Sequence, residues 1–222
     1  MNIPTTWTFE SDEVAKNFNS HVREQLPWYD LATEAVQYIV RNYLPEGGTV
    51  VDIGASTGNM VDKLLPLIAE RQATIIAVET SEAMLTVLEE KYALKTNVLV
   101  LDEDLSKPTS ASIFADVYIL FLTTMFVPVS RRQTLFDNLR RKVNDGGIII
   151  VVDKVLDHNG YFGTVMKRLG MHFKVLQNAD PSDILRKEMS LAGVQIPIDA
   201  SLVADGKQFF RVGEFCGWVI ES

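Results

Sequence analysis

TVVDIGASTGN, residues 49–59, decides the fold. A short β-branched run carries a carboxylate, Asp52, near its end. Glycines at 54 and 58 follow, and then a stretch with helical spacing. Glycine permits a tight turn and a close approach of backbone to ligand. The helix N-terminus just beyond offers N–H groups with no partner inside the helix. The same rhythm repeats outward. ATIIAVE (73–79) is a second apolar run ending in an acid, NVLVLDED (97–104) a third, ADVYILFL (115–122) a fourth and IIIVVDK (148–154) a fifth. Ser81 is placed to cap a helix with Met84, Leu85, Leu88 and Tyr92 on its buried face, and Ser130 with Gln133 forms a capping-box start for another through Val143. Continuous β-branched runs separated by amphipathic helices predict a parallel sheet covered on both faces, a doubly wound α/β fold.

The flanks follow other patterns. Ser11 caps a predicted helix with Asp12 and Glu13 in its first turn, running to about Leu26 before Pro27. A second helix is expected over about Tyr29–Leu44, where Val36, Ile39, Val40 and Tyr43 share a face. Pro66 is expected to kink or shorten the helix that begins at Asn59. Beyond Lys154, helices are expected within 158–178 and 181–192. Asp205-Gly206 gives a hairpin signal, and FCGWVIE makes a last strand antiparallel to its neighbours. The expectation is one domain over 1–222, with an N-terminal helical lid (1–44), a cofactor-binding core (48–153), and a substrate region with a C-terminal hairpin (154–222).

With 222 residues the chain is long enough to bury a core without disulfides, and its 47% hydrophobic and 23% charged residues are those of a globular protein. The formal net charge of −8 disfavours broad phosphate binding, so direct nucleic-acid contact is not expected. Cys216, the single cysteine, excludes an internal disulfide. Neither a secretory signal nor an apolar run of membrane-spanning length is seen, and a cytoplasmic protein is expected. The three histidines have no metal spacing, so no metal site is predicted.

In a doubly wound sheet, ligands bind beyond the carboxyl ends of the strands. The loop after the first strand lacks the dinucleotide fingerprint, since Ser56 and Asn59 stand where that pattern needs glycine. The P-loop pattern is also absent. Asp52 would repel a pyrophosphate and suits a ligand with an ammonium group. Glu79, ending the second strand, can accept from both ribose hydroxyls, and an acid of the 102–104 run can accept from an adenine amino group. Together they describe a site for an adenosine bearing a cationic amino acid.

VVDIGASTGN, AVETSEAM and LDEDL resemble motifs one to three of the class I S-adenosylmethionine (SAM)-dependent methyltransferases over about 48–153. Further matches resemble the carboxy-SAM synthases: Ser56 within D-x-G-x-S-x-G, LPWY with Tyr29, the helix start Ser130-Arg132-Gln133, Gly146-Gly147, and Lys154. The resemblance implies a Rossmann-like, mostly parallel seven-stranded sheet. It implies SAM, or S-adenosylhomocysteine (SAH), held by Asp52 and the Gly54–Ala55–Ser56–Gly58 backbone at the methionine moiety. Glu79 with Thr80 would take the ribose, Asp104 the adenine amino group with Leu105 beside the ring, and Tyr29 would close over the cofactor.

Two departures stand out. The synthases place an asparagine where Phe121 stands, and an arginine against the ligand carboxylate where the best register gives Glu188; Arg186 reaches that place only after a one-turn shift. A carboxylate without that guanidinium loses a bidentate, charge-assisted contact. Three readings stay open: a methyltransferase acting on a small molecule, a synthase making carboxy-SAM, and a non-catalytic SAM-binding protein. His158 and Tyr161 are candidates for substrate contact in the loop after the fifth strand. The absence of D/N-P-P-Y/F after strand four argues against base N-methylation. No catalytic base is named, and a homodimer is the default expectation.

Overall fold

In the computed structural model, which describes residues 7–108, 110, 112–156 and 160–222, all five apolar runs are strands. They are β1 (Thr49–Ile53), β2 (Thr74–Glu79), β3 (Val98–Asp102), β4 (Ala115–Phe121) and β5 (Val143–Lys154). With β6 (Lys207–Val212) and β7 (Phe215–Glu221) they form one seven-stranded sheet in the order β3-β2-β1-β4-β5-β7-β6. Pairing is parallel from β3 through β5, and β7 runs antiparallel to both β5 and β6. The strand order reverses around β1, where β2 lies on one side and β4 on the other. That switch point opens a crevice beyond the carboxyl ends of the strands.

Alternation along each strand divides the core. Val50, Val117 and Ile148 join a cluster with Ala32, Val36 and Val40 of α2 (Tyr29–Tyr43) and Val61 and Leu64 of α3 (Asn59–Glu70). Val51, Tyr118 and Ile149 point the other way, to Leu135, Phe136 and Leu139 of α5 (Val129–Lys142). A sheet buried on both faces needs apolar residues at successive positions, which the runs supply. Ser11 caps α1 (Asp12–Gln25) and Ser81 caps α4 (Glu82–Tyr92), each accepting from a backbone N–H three residues on. Trp28, before α2, packs on Phe210 and Phe215 at 5.2 and 4.8 Å between ring centroids, fastening the N-terminal helices to the last two strands. No helix among the described residues is long and apolar enough to cross a membrane.

Three local expectations are corrected. Helix α3 continues through Pro66 to Glu70, so Pro66 does not shorten it; Pro66 lies on the exposed face. Helix α5 begins at Val129, one residue ahead of Ser130, with Pro128 in the cap position and no side-chain cap bond; Gln133 turns instead to Asp137. Asp205-Gly206 precedes β6, and the hairpin turn is Gly213-Glu214, with Gly213 at φ +59°. Asp205 is held there by a two-pronged contact from Arg140, both bonds at 2.8 Å. Two other arginines of α5 are also engaged: Arg131 bonds Asp104 at 3.1 Å, and Arg132 is buried.

Candidate functional site

The glycine loop is built by its neighbours. Gly54 and Ala55 both donate to the carbonyl of Val78 on β2. Gly54 adopts φ +73°, and a Cβ there would meet Thr123, whose hydroxyl donates to the Ile53 carbonyl at 2.8 Å. Gly58, at φ +82°, has the Tyr92 hydroxyl where a Cβ would stand. That hydroxyl lies 2.9 Å from the Gly58 carbonyl and 2.7 Å from the Asp62 carboxylate. Ser56 takes φ +53°, and Leu122, at the end of β4, takes φ +60°. Left-handed backbone at a bulky residue is strained and is kept where surrounding structure enforces it.

Beside this loop lies a cavity of about 350 Å³, within the range of small-molecule sites. Tyr29, Asp52, Gly54, Ala55, Ser56, Glu79, Thr80, Asp104 and Leu105 all line it. Gly58 shapes the loop from behind rather than lining the cavity. Glu79 accepts from the N–H groups of Ser56, Thr80 and Ser81 at 2.7–3.1 Å. Asp104 accepts from the Ser106 N–H at 3.0 Å and from Arg131 at 3.1 Å, so its carboxylate is oriented before any ligand arrives. The Tyr29 ring meets Phe121 edge-on at 5.4 Å, and burial pushes its hydroxyl up to about 12.

Asp52 is 2% exposed, and its Oδ2 has no hydrogen-bond partner. Burial, with the Glu79 charge adding to it, raises its carboxyl from 3.8 to about 7. A buried carboxylate oxygen without a donor is costly unless a cation or donor meets it. Nearby, the Asn59 side chain, its amide nitrogen buried, faces the Tyr29 hydroxyl, whose pKa it lowers against the effect of burial. Asn59 carried no sequence signal beyond its place at the start of a helix.

The cavity extends past the glycine loop into a second lobe lined by residues of α1 and α7 (Pro181–Ser190). The Arg186 expectation does not hold there: its side chain is 66% exposed and pairs with Asp183. One residue along the helix is a turn of about 100°, and it is Lys187, 8% exposed, that lines the cavity. Glu188 also lines it, 3.2 Å from Lys174 and 3.9 Å from Lys154. Lys154 in turn lies 3.5 Å from Glu214. Tyr161, 73% exposed, opens α6 (Tyr161–Leu176) and does not line the cavity. His158 lies outside the described residues.

Comparison with known proteins shows the family and the fold. A family model described as a methyltransferase domain matches residues 50–147. A carboxy-S-adenosyl-L-methionine synthase of Staphylococcus epidermidis is 31% identical over 200 residues, which are 88% of this chain and 84% of the relative. A synthase of the same name from Campylobacter lari is 26% identical over 198 residues, 87% and 82% of the two chains. Among solved structures, a Methanococcus maripaludis protein described as a SAM-dependent methyltransferase aligns with a TM-score of 0.59 at 17% identity, covering 100% of this chain and 97% of the other. Human N-acetylserotonin methyltransferase, solved with SAM, aligns at 0.58 and 12% identity, covering 96% of this chain and 58% of its own. At such identities these structures speak for the shared fold.

Proposed function

This chain belongs to the SAM-dependent methyltransferase family that includes the carboxy-SAM synthases, and we propose that it transfers the methyl group of SAM to a small molecule. The observation that carries the cofactor assignment is the buried, unpartnered Asp52 Oδ2 beside the glycine loop, with the Asn59 amide near it. One is an acceptor and the other a donor, and they complement the ammonium and carboxylate of an amino acid. Glu79 is oriented by three backbone N–H groups and keeps one lone pair, on Oε2, for a ribose hydroxyl. Asp104 takes the adenine amino group, Leu105 the ring face, and Tyr29 covers the cofactor.

SAM, when bound, supplies a methyl group already activated by its sulfonium. The chain's own contribution is therefore mainly positioning. Tyr29 and Phe121 wall the cavity with apolar rings, which helps keep water from the sulfonium. Asp52, whose carboxyl is raised by burial, gains a cationic partner in the ammonium group.

Methyl transfer is favoured over carboxy-SAM synthesis by the second lobe. Arg186 faces solvent, and Glu188 lines the cavity, drawing Lys154 and Lys174 to itself. An added carboxylate on the cofactor would meet no free guanidinium there. The names of the relatives favour a second reading, in which the lysines of this lobe receive the carboxylate of carboxy-SAM. Intact-mass analysis of the nucleoside released from purified protein decides between them. SAM or SAH supports methyl transfer, and a species heavier by one carboxylate supports the synthase.

A further inference from the structure

The second lobe holds more amines than its acids can pair. Lys154 at the end of β5, Lys167 and Lys174 on α6, and Lys187 on α7 all line it, with Glu188 and Glu214 beside them. Glu188 lies 3.2 Å from Lys174 and 3.9 Å from Lys154, and Glu214 lies 3.5 Å from Lys154. Those two acids are thereby engaged. Lys187 is 8% exposed, and among the described residues no carboxylate forms an ion pair with it; its amine lies against the Trp7 face.

The segment before α1 forms a strap over this amine. Trp7 donates its backbone N–H to Ser190 at the end of α7, and the Ser81 hydroxyl donates to the Phe9 carbonyl at 2.8 Å. Beneath the strap, Phe9 meets Phe126 edge-on at 4.9 Å and Trp7 at 5.9 Å, and the Trp7 ring stacks on His21. These rings wall a chamber continuous with the cofactor end of the cavity. His21 and Gln25, one turn apart on α1, line it too, and His21 Nε2 and Gln25 Oε1 are buried without a partner. His21 can carry its proton on Nε2 and Gln25 can turn its amide, so both are able to donate to an oxyanion. Burial, helped by Lys174 and opposed by Glu188, depresses Lys187 to about 6; an adjoining anion favours the charged amine. A carboxylate on an apolar body fits the lysine and the rings together. A carboxylate borne by the cofactor alone would leave the rings uncovered.

We infer that this lobe is the acceptor subsite and that it takes an organic carboxylate on a ring-bearing, apolar body, with Lys187 against the oxyanion and the carboxylate itself as the group methylated; this rests on the cofactor occupying the glycine-loop end. A carboxylate oxygen bonds to the methyl carbon as the S–CH3 bond breaks, and the bonding pair stays on sulfur. The products are a methyl ester and the uncharged thioether of SAH. The anionic acceptor has no proton to lose, so the step needs no base.

The test uses 2-naphthoate and 2-naphthamide, which share a ring and differ in charge. Each is titrated by saturation-transfer NMR into the full chain saturated with SAH, whose binding is first verified by calorimetry. The expected result is binding of 2-naphthoate in preference to 2-naphthamide. Lys187→Met should weaken 2-naphthoate by about fivefold or more and leave 2-naphthamide unchanged, with the SAH affinity and the melting temperature retained, whereas Lys187→Arg should keep the preference. Incubation of 2-naphthoate with SAM labelled in its methyl group should give label that alkali releases as methanol, the mark of a methyl ester. Equal or tighter binding of 2-naphthamide would overturn the inference, as would 2-naphthoate binding indifferent to Lys187→Met, or no alkali-labile label. Carboxy-SAM as the nucleoside released from the protein would assign the lysine to the cofactor and overturn it too. If SAH binds and 2-naphthoate does not, the acceptor assignment fails alone. If SAH itself gives no heat, the cofactor reading fails and takes this one with it.

Discussion

The Glu79 carboxylate accepts the backbone N–H of Ser56 at 2.8 Å, so the acid that ends β2 also holds the loop that leaves β1. Two of the three sequence motifs are therefore one mechanical unit. The loop's left-handed Ser56 is fixed by the group assigned to the ribose, and the site is set before a ligand enters.

Replacing Glu79 separates the two roles. Glu79→Gln keeps an acceptor for one N–H but loses the charge and half the accepting capacity. SAH affinity should fall about 10- to 100-fold, with the melting temperature lowered only slightly. Calorimetry on the variant checks it, and an unchanged dissociation constant would remove Glu79 from the ribose site.

The raised Asp52 carboxyl gives a pH signature. An acid whose pKa rises from 3.8 to about 7 on folding binds its proton more tightly in the folded chain. The stability it contributes is complete below 3.8 and is lost as pH rises through 7. Asp52→Asn removes this loss, so its melting temperature relative to wild type should be more favourable at pH 8 than at pH 6. Comparison with the variant cancels the titration of Asp153, which burial also raises to about 7. The ionised form is the one that pairs with an ammonium, so wild-type SAM affinity should be about tenfold weaker at pH 6 than at pH 8. A flat affinity across that window would contradict the pairing.

Gly58 and Tyr92 should be coupled. Gly58→Ala places a methyl group on the Tyr92 hydroxyl in a backbone conformation that alanine resists, and is expected to cost about 1–3 kcal/mol. Tyr92→Phe removes the nearest obstructing atom, the oxygen, and leaves ring carbons at 2.8 and 2.9 Å to account for the remaining loss. Denaturant unfolding of the double variant should show less than the summed loss; strict additivity would mean that the hydroxyl is not the obstacle.

Arg132 is 3% exposed and donates to four carbonyls, those of Met125, Val127, Ile196 and Pro197. It ties the turn after β4 to the segment that follows α7. Arg132→Ala should destabilise the chain by about 3–5 kcal/mol, because several buried carbonyls lose their donor. Arg132→Lys should recover little, since an ammonium cannot reach four carbonyls spread around a planar fork. Melting curves of the two variants make the comparison.

What was legible in the sequence was what local chemistry dictates. The strands were readable because burial on both faces demands uninterrupted β-branched runs, and Ser11 and Ser81 because a cap bonds only three residues ahead. The acids Asp52, Glu79 and Asp104 line one cavity because the fold gathers the strand ends there. Asp205-Gly206 misled because its tight-turn chemistry serves a contact with Arg140, 65 residues away in sequence. Arg186 and Lys187 could not be told apart, because which side of α7 faces the cavity depends on how that helix packs. Gln25 and His21 look like ordinary positions on an amphipathic helix until the strap at Trp7 closes over them.

The central claim is that Asp52, Glu79 and the glycine loop form a SAM site. Calorimetric titration of the purified chain with SAH at pH 8 tests it most directly. One molecule should bind per chain with a dissociation constant on the order of 10 μM or tighter, weakened about 10- to 100-fold in Glu79→Gln. No heat up to about 1 mM SAH from protein that melts cooperatively would contradict it.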